Sequence, residues 1–494
     1  MLLIPLTQIA YFYLYHTPIT YNTFIAILQT NASEAKEFIM QNIGVIGIFS
    51  AFIFLVVLFF SLSFTNRVET SKNNSCIEGS VFIQSKKVLV TLCIIFIATS
   101  LYSIRIFRET GVFESYQEAK TYFRNSQKFV DFHVKNYDRL IVNTPSRHFA
   151  NPSTIIMVIG ESAGRNFLSA YGGSSVKGNN TTPWLCKCKK GDSKHFFLFQ
   201  HAYTCWHQTV LTLERALTEK NQYNNKDFNQ SYSIIDVAKK AGYKTYWFSD
   251  QGKLGDADTA ISLVAKTADQ HLWLCDTASN SGKIKRDGEL LTFLNNVNPK
   301  ENNFIVLHLM GSHENYLHRY PPEFTKFGQP NKFNRVLNYD NSLAYSDFVL
   351  QNIYEYCKAN LNLQAMLYFS DHGSDPHHIR HPDIVPFVVL RIPMFIYLSD
   401  EYQNLFPRTS HSLQNHIDSY FTNDLIYETV CGLLNITSNH YDETNSLASP
   451  KYKFTRETLL TNLGHTKLIE DKDESDLQSI SLEINFKPQN DIEK

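Results

Sequence analysis

The sequence predicts a membrane-anchored α/β protein, with transmembrane helices at the N-terminus and then a large domain built on a mostly parallel sheet flanked by helices. Three observations predict it. Long uncharged apolar segments lie within the first 107 residues. From about residue 153, short apolar runs alternate with helical stretches, the pattern of a sheet covered by helices. Three of those runs end directly in Glu, in Gly-Ser-His or in Asp-His. A net charge of −1, from 46 basic and 47 acidic residues, offers no bulk field for nucleic acid, and that class of partner is excluded.

Residues 43–64 run for 22 positions without a charge, and a membrane helix needs about 20. Residues 88–104 are a shorter apolar run of 17 between Lys86, Lys87 and Arg105; a buried core helix is the alternative to a span. Residues 1–15 are uncharged but short, interrupted by Pro5 and Gln8. They lack the basic start and small-residue cleavage site of a signal peptide and read as a membrane helix cut short. The loop 66–87 carries Arg67, Lys72, Lys86 and Lys87, against Lys36 alone in the preceding loop. The positive-inside rule therefore assigns 66–87 to the cytoplasm, and residues 16–42 and everything after Arg108 to the other side. Cys186, Cys188, Cys205, Cys275, Cys357 and Cys431 fall on that outer side. An oxidising compartment there predicts up to three disulfides of open pairing, with buried free thiols as the alternative.

Residues 108–150 mix aromatic and charged positions and read as connecting helices, either lying along the membrane surface or packed on the next domain. Residues 151–468 are expected to form the large α/β domain, with strands at 154–159, 244–248, 304–309, 365–369 and 394–397. Helices are expected at 209–218, 233–241, 288–297, 341–358 and 423–434. Residues 469–494 are acidic and polar and read as a tail.

The run IIMVIG leads into Glu161, FIVLHLM into Gly311-Ser312-His313, and MLYFS into Asp371-His372. In open α/β sheets ligands collect beyond the carboxyl ends of the strands, so these strands would gather Glu161, His313, Asp371 and His372 at one edge. Two carboxylates with imidazole suit a divalent cation, zinc or manganese before magnesium; without one they would repel each other. Thr209 opens a helical stretch, where backbone N–H groups favour an anion. A plain helix cap is its ordinary role, but a metal bound to its hydroxyl would make it a nucleophile. His207, His377, His378 and His381 supply imidazoles nearby in sequence, and one of them, or His313, would protonate a leaving oxygen.

The segments VIGESAGRNFLSAYG, TTPWL, the Thr209 stretch, LHLMGSHENYLHRYP, NYDNSLAYSD, YFSDHGSD and LRIPMFIYLS, in that order, resemble the bacterial phosphoethanolamine transferases of the lipid A and lipooligosaccharide type. These belong to the sulfatase and alkaline phosphatase superfamily, and the resemblance covers about residues 16–465. It implies membrane helices and an alkaline-phosphatase/sulfatase-like periplasmic domain in a monomeric, multi-pass protein of the inner membrane. It implies transfer of phosphoethanolamine from phosphatidylethanolamine to a phosphate or sugar hydroxyl of a surface glycolipid, lipid A or lipooligosaccharide. Glu161, Thr209, Asp371 and His372 match the ligands of the one or two zinc ions, with Thr209 also the residue that becomes modified. His313 matches a substrate-phosphate or second-metal histidine, and His378 or His381 a further one. Thr30 and Glu34, in QTNASEAKEF, match the family's lipid-headgroup loop. The sequence departs from the family in three places. Three apolar segments precede the catalytic domain where the family has five, Arg215 stands where some relatives carry a second Cys, and Gly-Ser-Asp follows His372 in place of Gly-Glu. Phosphoglycerol transfer or phosphodiester hydrolysis on the same metal cluster, and an inactive envelope scaffold, are the alternative functions. Sulfate-ester hydrolysis is excluded, since Thr209 cannot become formylglycine.

Overall fold

The computed structural model describes residues 111–472, apart from 252–258, 275–283, 330, 332 and 379, and before them residues 11–13, 15–29 and isolated positions. The chain divides into two compact units, Met1–Tyr122 and Phe123–Lys494. In the first, the helix Tyr21–Gln29 is described, with the Tyr11 hydroxyl 2.7 Å from that of Thr23. Among the described residues no helix is long and apolar enough to cross a membrane. Residues 43–64 and 88–104 lie largely outside them, as do Thr30 and Glu34 entirely.

The second unit is organised by a seven-stranded sheet: β1 (Thr154–Gly160), β2 (Phe196–Leu198), β3 (Lys244–Ser249), β4 (Gln270–Trp273), β5 (Asn303–His308), β6 (Leu363–Ser370) and β7 (Met394–Leu398). The strands lie in the order β2-β7-β6-β1-β5-β3-β4. Five are parallel, β7 runs antiparallel beside β6, and β2 antiparallel beside β7. β1, β5 and β6 are buried along their whole length because both faces of the sheet are covered. Their alternate side chains feed opposite layers. Ile155, Met157 and Ile159 of β1 join one core cluster, and Ile156 and Val158 the other. Phe304 and Val306 of β5, and Ala365, Leu367 and Phe369 of β6, follow the first; Ile305, Leu307, Met366 and Tyr368 follow the second. Each large apolar side chain so buried contributes roughly 1.5–3 kcal/mol, so the central register is firmly set.

That register brings three strand ends level. Ile159 pairs with His308 on one side and Phe369 on the other, and Gly160 with Ser370. The Asp371 N–H then donates to Gly160 O at 3.0 Å, and the Ser312 N–H to Glu161 O at 2.9 Å. Gly311 has φ +49°, and a Cβ there would lie 2.7 Å from Glu161 O; only glycine lets the His313 loop pass this close.

The helices that matter for the site are α1 (Pro183–Gly191), α2 (Thr209–Ala216), α3 (Ile234–Lys240), α4 (Arg335–Asn360) and α5 (Ile426–Leu433). α3 opens with a capping box, Ser233 and Asp236 bonding each other's backbone N–H. In the connector, the helices are Val112–Ser126 and Lys128–Asn136. Phe129 of the latter is buried and stacks on Phe228 at 4.7 Å.

Three expectations need correction. The stretch expected as a helix at 288–297 is a 3-10 run, Asp287–Asn296. Glu470 and Asp471, assigned by composition to the tail, belong to the fold: Asp471 is 3 % exposed and takes hydrogen bonds from Arg391 Nε and the Tyr203 hydroxyl, both at 2.8 Å. Cys186, Cys188, Cys205, Cys357 and Cys431 are free thiols; Cys275 lies outside the described residues. Cys188 and Cys357 lie in one core layer and Cys431 in the other, so the sheet separates Cys431 from the first two. Burial lifts the Cys188 and Cys357 thiols to about 12, which makes them inert core groups.

Candidate metal centre

At the carboxyl ends of β1 and β6 the structure brings together Glu161, Asp371 and His372, all buried, with ligand-type atoms within 4.8 Å of one another. His372 Nε2 lies 3.4 Å from Glu161 Oε1 and 3.2 Å from Asp371 Oδ2. The Thr209 hydroxyl joins them from α2, donating to Glu161 Oε2 at 3.0 Å and lying 3.4 Å from His372 Nε2. Residues 48 and 163 positions apart from Thr209 thus surround one point.

Thr209 does not act as a helix cap. Gln208, with φ −121° and ψ 135°, occupies the cap position of α2 and its side chain makes no capping bond. Thr209 is the first helical residue, and its hydroxyl is turned to the cluster.

The surrounding hydrogen bonds orient the donors. The N–H groups of Ser162 and His372 donate to Asp371 Oδ1 at 3.0 and 2.7 Å. Asp371 Oδ2, also buried, has no hydrogen-bond partner. His372 Nδ1 lies 2.9 Å from Gly373 O; donating there, it leaves the Nε2 lone pair facing the carboxylates, the arrangement usual for a metal-bound imidazole. Ser162, φ +58°, sits in the left-handed region directly after Glu161. The cost of order 1–3 kcal/mol lets its hydroxyl bond Glu161 Oε1 at 2.6 Å while its N–H reaches Asp371.

The electrostatics point the same way. Burial opposes ionisation of Glu161, but His372, His313 and the hydrogen bonds to its carboxylate hold it below the usual range. Burial and the Glu161 charge together push Asp371 well above that range. The pair therefore ionises in two separated steps, Glu161 before Asp371. Burial, then the Arg380 guanidinium, lowers His372 to about 3, so its imidazole is neutral. Two carboxylates, a neutral imidazole and a hydroxyl, with an orphaned carboxylate oxygen among them, fit a divalent cation of zinc type.

The remaining histidines are distributed around this centre. His313 Nδ1 is buried without a hydrogen-bond partner, and the His313 charge is felt at Glu161. His378 bonds Asp375 Oδ2 through Nδ1 at 2.6 Å, and that bond raises its pKa. His381 Nδ1 accepts from the N–H groups of Asp383 and Ile384 at 3.0 and 2.9 Å, which fixes the proton on Nε2. His207 lies 3.0 Å from Pro382 O through Nε2, and burial keeps it neutral. His377 is exposed.

Three neighbours escaped the sequence reading. Gln251 Nε2 donates to Glu161 Oε2 and to Leu309 O, both at 3.0 Å. Asn423 Nδ2 donates to Asp371 O at 2.8 Å while its Oδ1 takes the Cys205 N–H at 2.9 Å, tying the Thr209 segment to the Asp371 turn. Arg380 places a guanidinium nitrogen 3.0 Å from His372 Nε2. Gln251 was within reach of the strand-end argument, since it follows β3, a fourth strand delivering to the same edge.

Comparison with known proteins places the fold. The sulfatase family model matches residues 153–436, more than half of the chain. The phosphoethanolamine transferase EptC of Escherichia coli K12 is 28 % identical over 324 residues, covering 62 % of this chain and 54 % of EptC. The phosphoethanolamine transferase OpgE of the same strain is 26 % identical over 402 residues, covering 75 % of this chain and 70 % of OpgE. The solved C-terminal periplasmic domain of Escherichia coli EptC, in complex with Zn, superposes with a TM-score of 0.59 at 25 % identity, covering 67 % of this chain and 96 % of that domain. The integral membrane protein lipooligosaccharide phosphoethanolamine transferase A of Neisseria meningitidis shares the fold, with a TM-score of 0.62 at 19 % identity over 90 % of this chain and 86 % of that one. The chain spans about half the length of the EptC proteins it matches. The resemblance carried by the motifs and the matches thus agree, and the chain belongs to the sulfatase family.

Proposed function

We propose that the chain transfers phosphoethanolamine from phosphatidylethanolamine to a surface glycolipid, lipid A phosphate or a core sugar, through a covalent adduct on Thr209. The observation that carries this reading is the Thr209 hydroxyl, spared from helix capping and held 3.0 Å from Glu161 and 3.4 Å from His372. Relatives named phosphoethanolamine transferases support the transferred group. The uncharged segments 43–64 and 88–104 support a multi-pass protein of the inner membrane with its catalytic unit in the periplasm. Thr30 and Glu34 are proposed to contact the donor headgroup.

Glu161, Thr209, Asp371 and His372 would hold zinc, the metal present in the EptC periplasmic domain. Bound there, zinc lowers the pKa of the hydroxyl and neutralises charge on the phosphoryl group. Thr209 Oγ then attacks phosphorus, the bond to the glycerol oxygen breaks, and diacylglycerol leaves with a proton. That proton comes from His313, His378 or His381; of the three, Asp375 biases His378 toward its protonated form. In the second step an acceptor oxygen attacks the phosphothreonine-type adduct, its proton is withdrawn, and the Thr209 oxygen is released.

The test is donor turnover by the full chain in vesicles carrying phosphatidylethanolamine or phosphatidylglycerol. Diacylglycerol production from phosphatidylethanolamine alone is expected. Turnover of phosphatidylglycerol instead moves the assignment to phosphoglycerol transfer, and a zinc-loaded chain inert toward both is a scaffold.

A further inference from the structure

We propose that Arg380 is a phosphate-binding residue of the transfer site, its guanidinium donating to non-bridging oxygens of the phosphodiester. The proposal deepens the transferase reading and rests on it. The supporting observation is the place of Arg380. One guanidinium nitrogen lies 3.0 Å from His372 Nε2, the atom that also lies 3.4 Å from Thr209 Oγ1. In the metal-free chain the guanidinium thus rests on the His372 Nε2 lone pair, and a cation bound by that nitrogen would displace it toward whatever Thr209 attacks.

The charge balance of the reaction requires such a group. Glu161 and Asp371, both ionised, neutralise a divalent cation, so a Thr209 alkoxide and a phosphodiester monoanion still bring two negative charges together. A guanidinium supplies a permanent positive charge, and its parallel N–H donors match two phosphate oxygens. Donors aimed where charge develops act more strongly in transfer than in ground-state binding.

Arg380 is also supported from behind. Its charge is felt at Glu314, the residue after His313, which is bonded to Arg335 NH1. Arg335 NH2 in turn donates to His378 O at 3.2 Å and to the Tyr316 hydroxyl at 3.3 Å. Arg335 of α4 thus joins the His313 loop to the loop that carries Arg380. Residue 380 separates two histidines of the HHIRH segment, His378 and His381, so guanidinium and imidazoles arrive on one stretch of backbone.

The experiment compares wild type, Arg380→Lys and Arg380→Ala in the zinc-loaded full chain. Inorganic phosphate binding by calorimetry is expected to weaken 10-fold or more in Arg380→Ala and less in Arg380→Lys. With phosphatidylethanolamine vesicles, formation of the Thr209 adduct is expected to slow 100-fold or more in Arg380→Ala. Methylguanidinium added to that variant is expected to restore part of the rate, which a purely structural role would not allow. Zinc content and thermal midpoint are expected to match wild type. If Arg380→Ala does not fold, Arg380→Lys carries the test through phosphate affinity and adduct rate. Unchanged phosphate affinity and adduct rate, in a wild type that does form the adduct, overturn the proposal. A wild type that forms no adduct overturns the transferase reading instead, while phosphate binding still reports on Arg380.

Discussion

Zinc affinity should rise with pH in steps set by the ionisation of the carboxylate pair. In the metal-free chain burial and the Glu161 charge push Asp371 well above the usual carboxyl range, while Glu161 is held below it and His372 is lowered to about 3. A cation binding between them must expel the Asp371 proton. Below the pH at which Asp371 ionises in the metal-free chain, one proton leaves per zinc, so affinity rises tenfold, about 1.4 kcal/mol, per pH unit. If Thr209 also ionises on binding, the slope doubles, and Thr209→Ala returns it to one. The sign for stability follows. A carboxyl raised on folding favours the folded state below its unfolded pKa, and that contribution is lost as pH rises toward its folded pKa. The Asp371 share of stability therefore falls with rising pH in the metal-free chain, whereas zinc binding adds a contribution that grows with pH. The assay is calorimetry at pH 6 to 8 in buffers of different ionisation enthalpy, which counts protons directly, with chelator competition for affinity. Affinity independent of pH, with no proton released at any pH below that at which Asp371 ionises in the metal-free chain, would refute the reasoning. Asp371→Asn is expected to abolish the Asp371 share of the release and to weaken binding.

Two further outcomes follow from contacts around the site and the chain end. Gln251→Leu removes the donor to Glu161 Oε2 and should weaken zinc roughly 10-fold or more, as loss of a group orienting a metal ligand typically does; chelator competition measures it. Arg391→Met leaves Asp471 buried without its guanidinium, and urea unfolding should show a loss of about 3–5 kcal/mol, most of it recovered when Asp471→Leu is added.

The parts of the fold legible in the sequence are those fixed by local pattern. β1, β5 and β6 are continuous apolar runs because both faces are covered, and their ends are marked by Glu161, the Gly-Ser-His turn and Asp371-His372. β2 is buried but spans only three residues, and β4, QHLW, is half exposed at the sheet edge, so neither shows a long apolar run. Four members of the site were legible because strand ends and a helix start announce them. Asn423 was not, since an amide carries no signal of its own, and Gln251 is marked only by its place just after β3. Their roles come from contacts 90 and 52 positions away along the chain. Cysteine number was misleading for a related reason: it counts thiols but does not say which core layer each one fills.

The central claim is that Glu161, Asp371 and His372, gathered around one cation, turn the Thr209 alcohol into a nucleophile, and the mass of the Thr209 peptide tests it most directly. The full chain, loaded with zinc and exposed to phosphatidylethanolamine without acceptor, should yield a Thr209 peptide heavier by one phosphoethanolamine group, with the peptide of Thr209→Ala unmodified. An unmodified Thr209 in a chain that still releases diacylglycerol, or the adduct on another residue, contradicts the account.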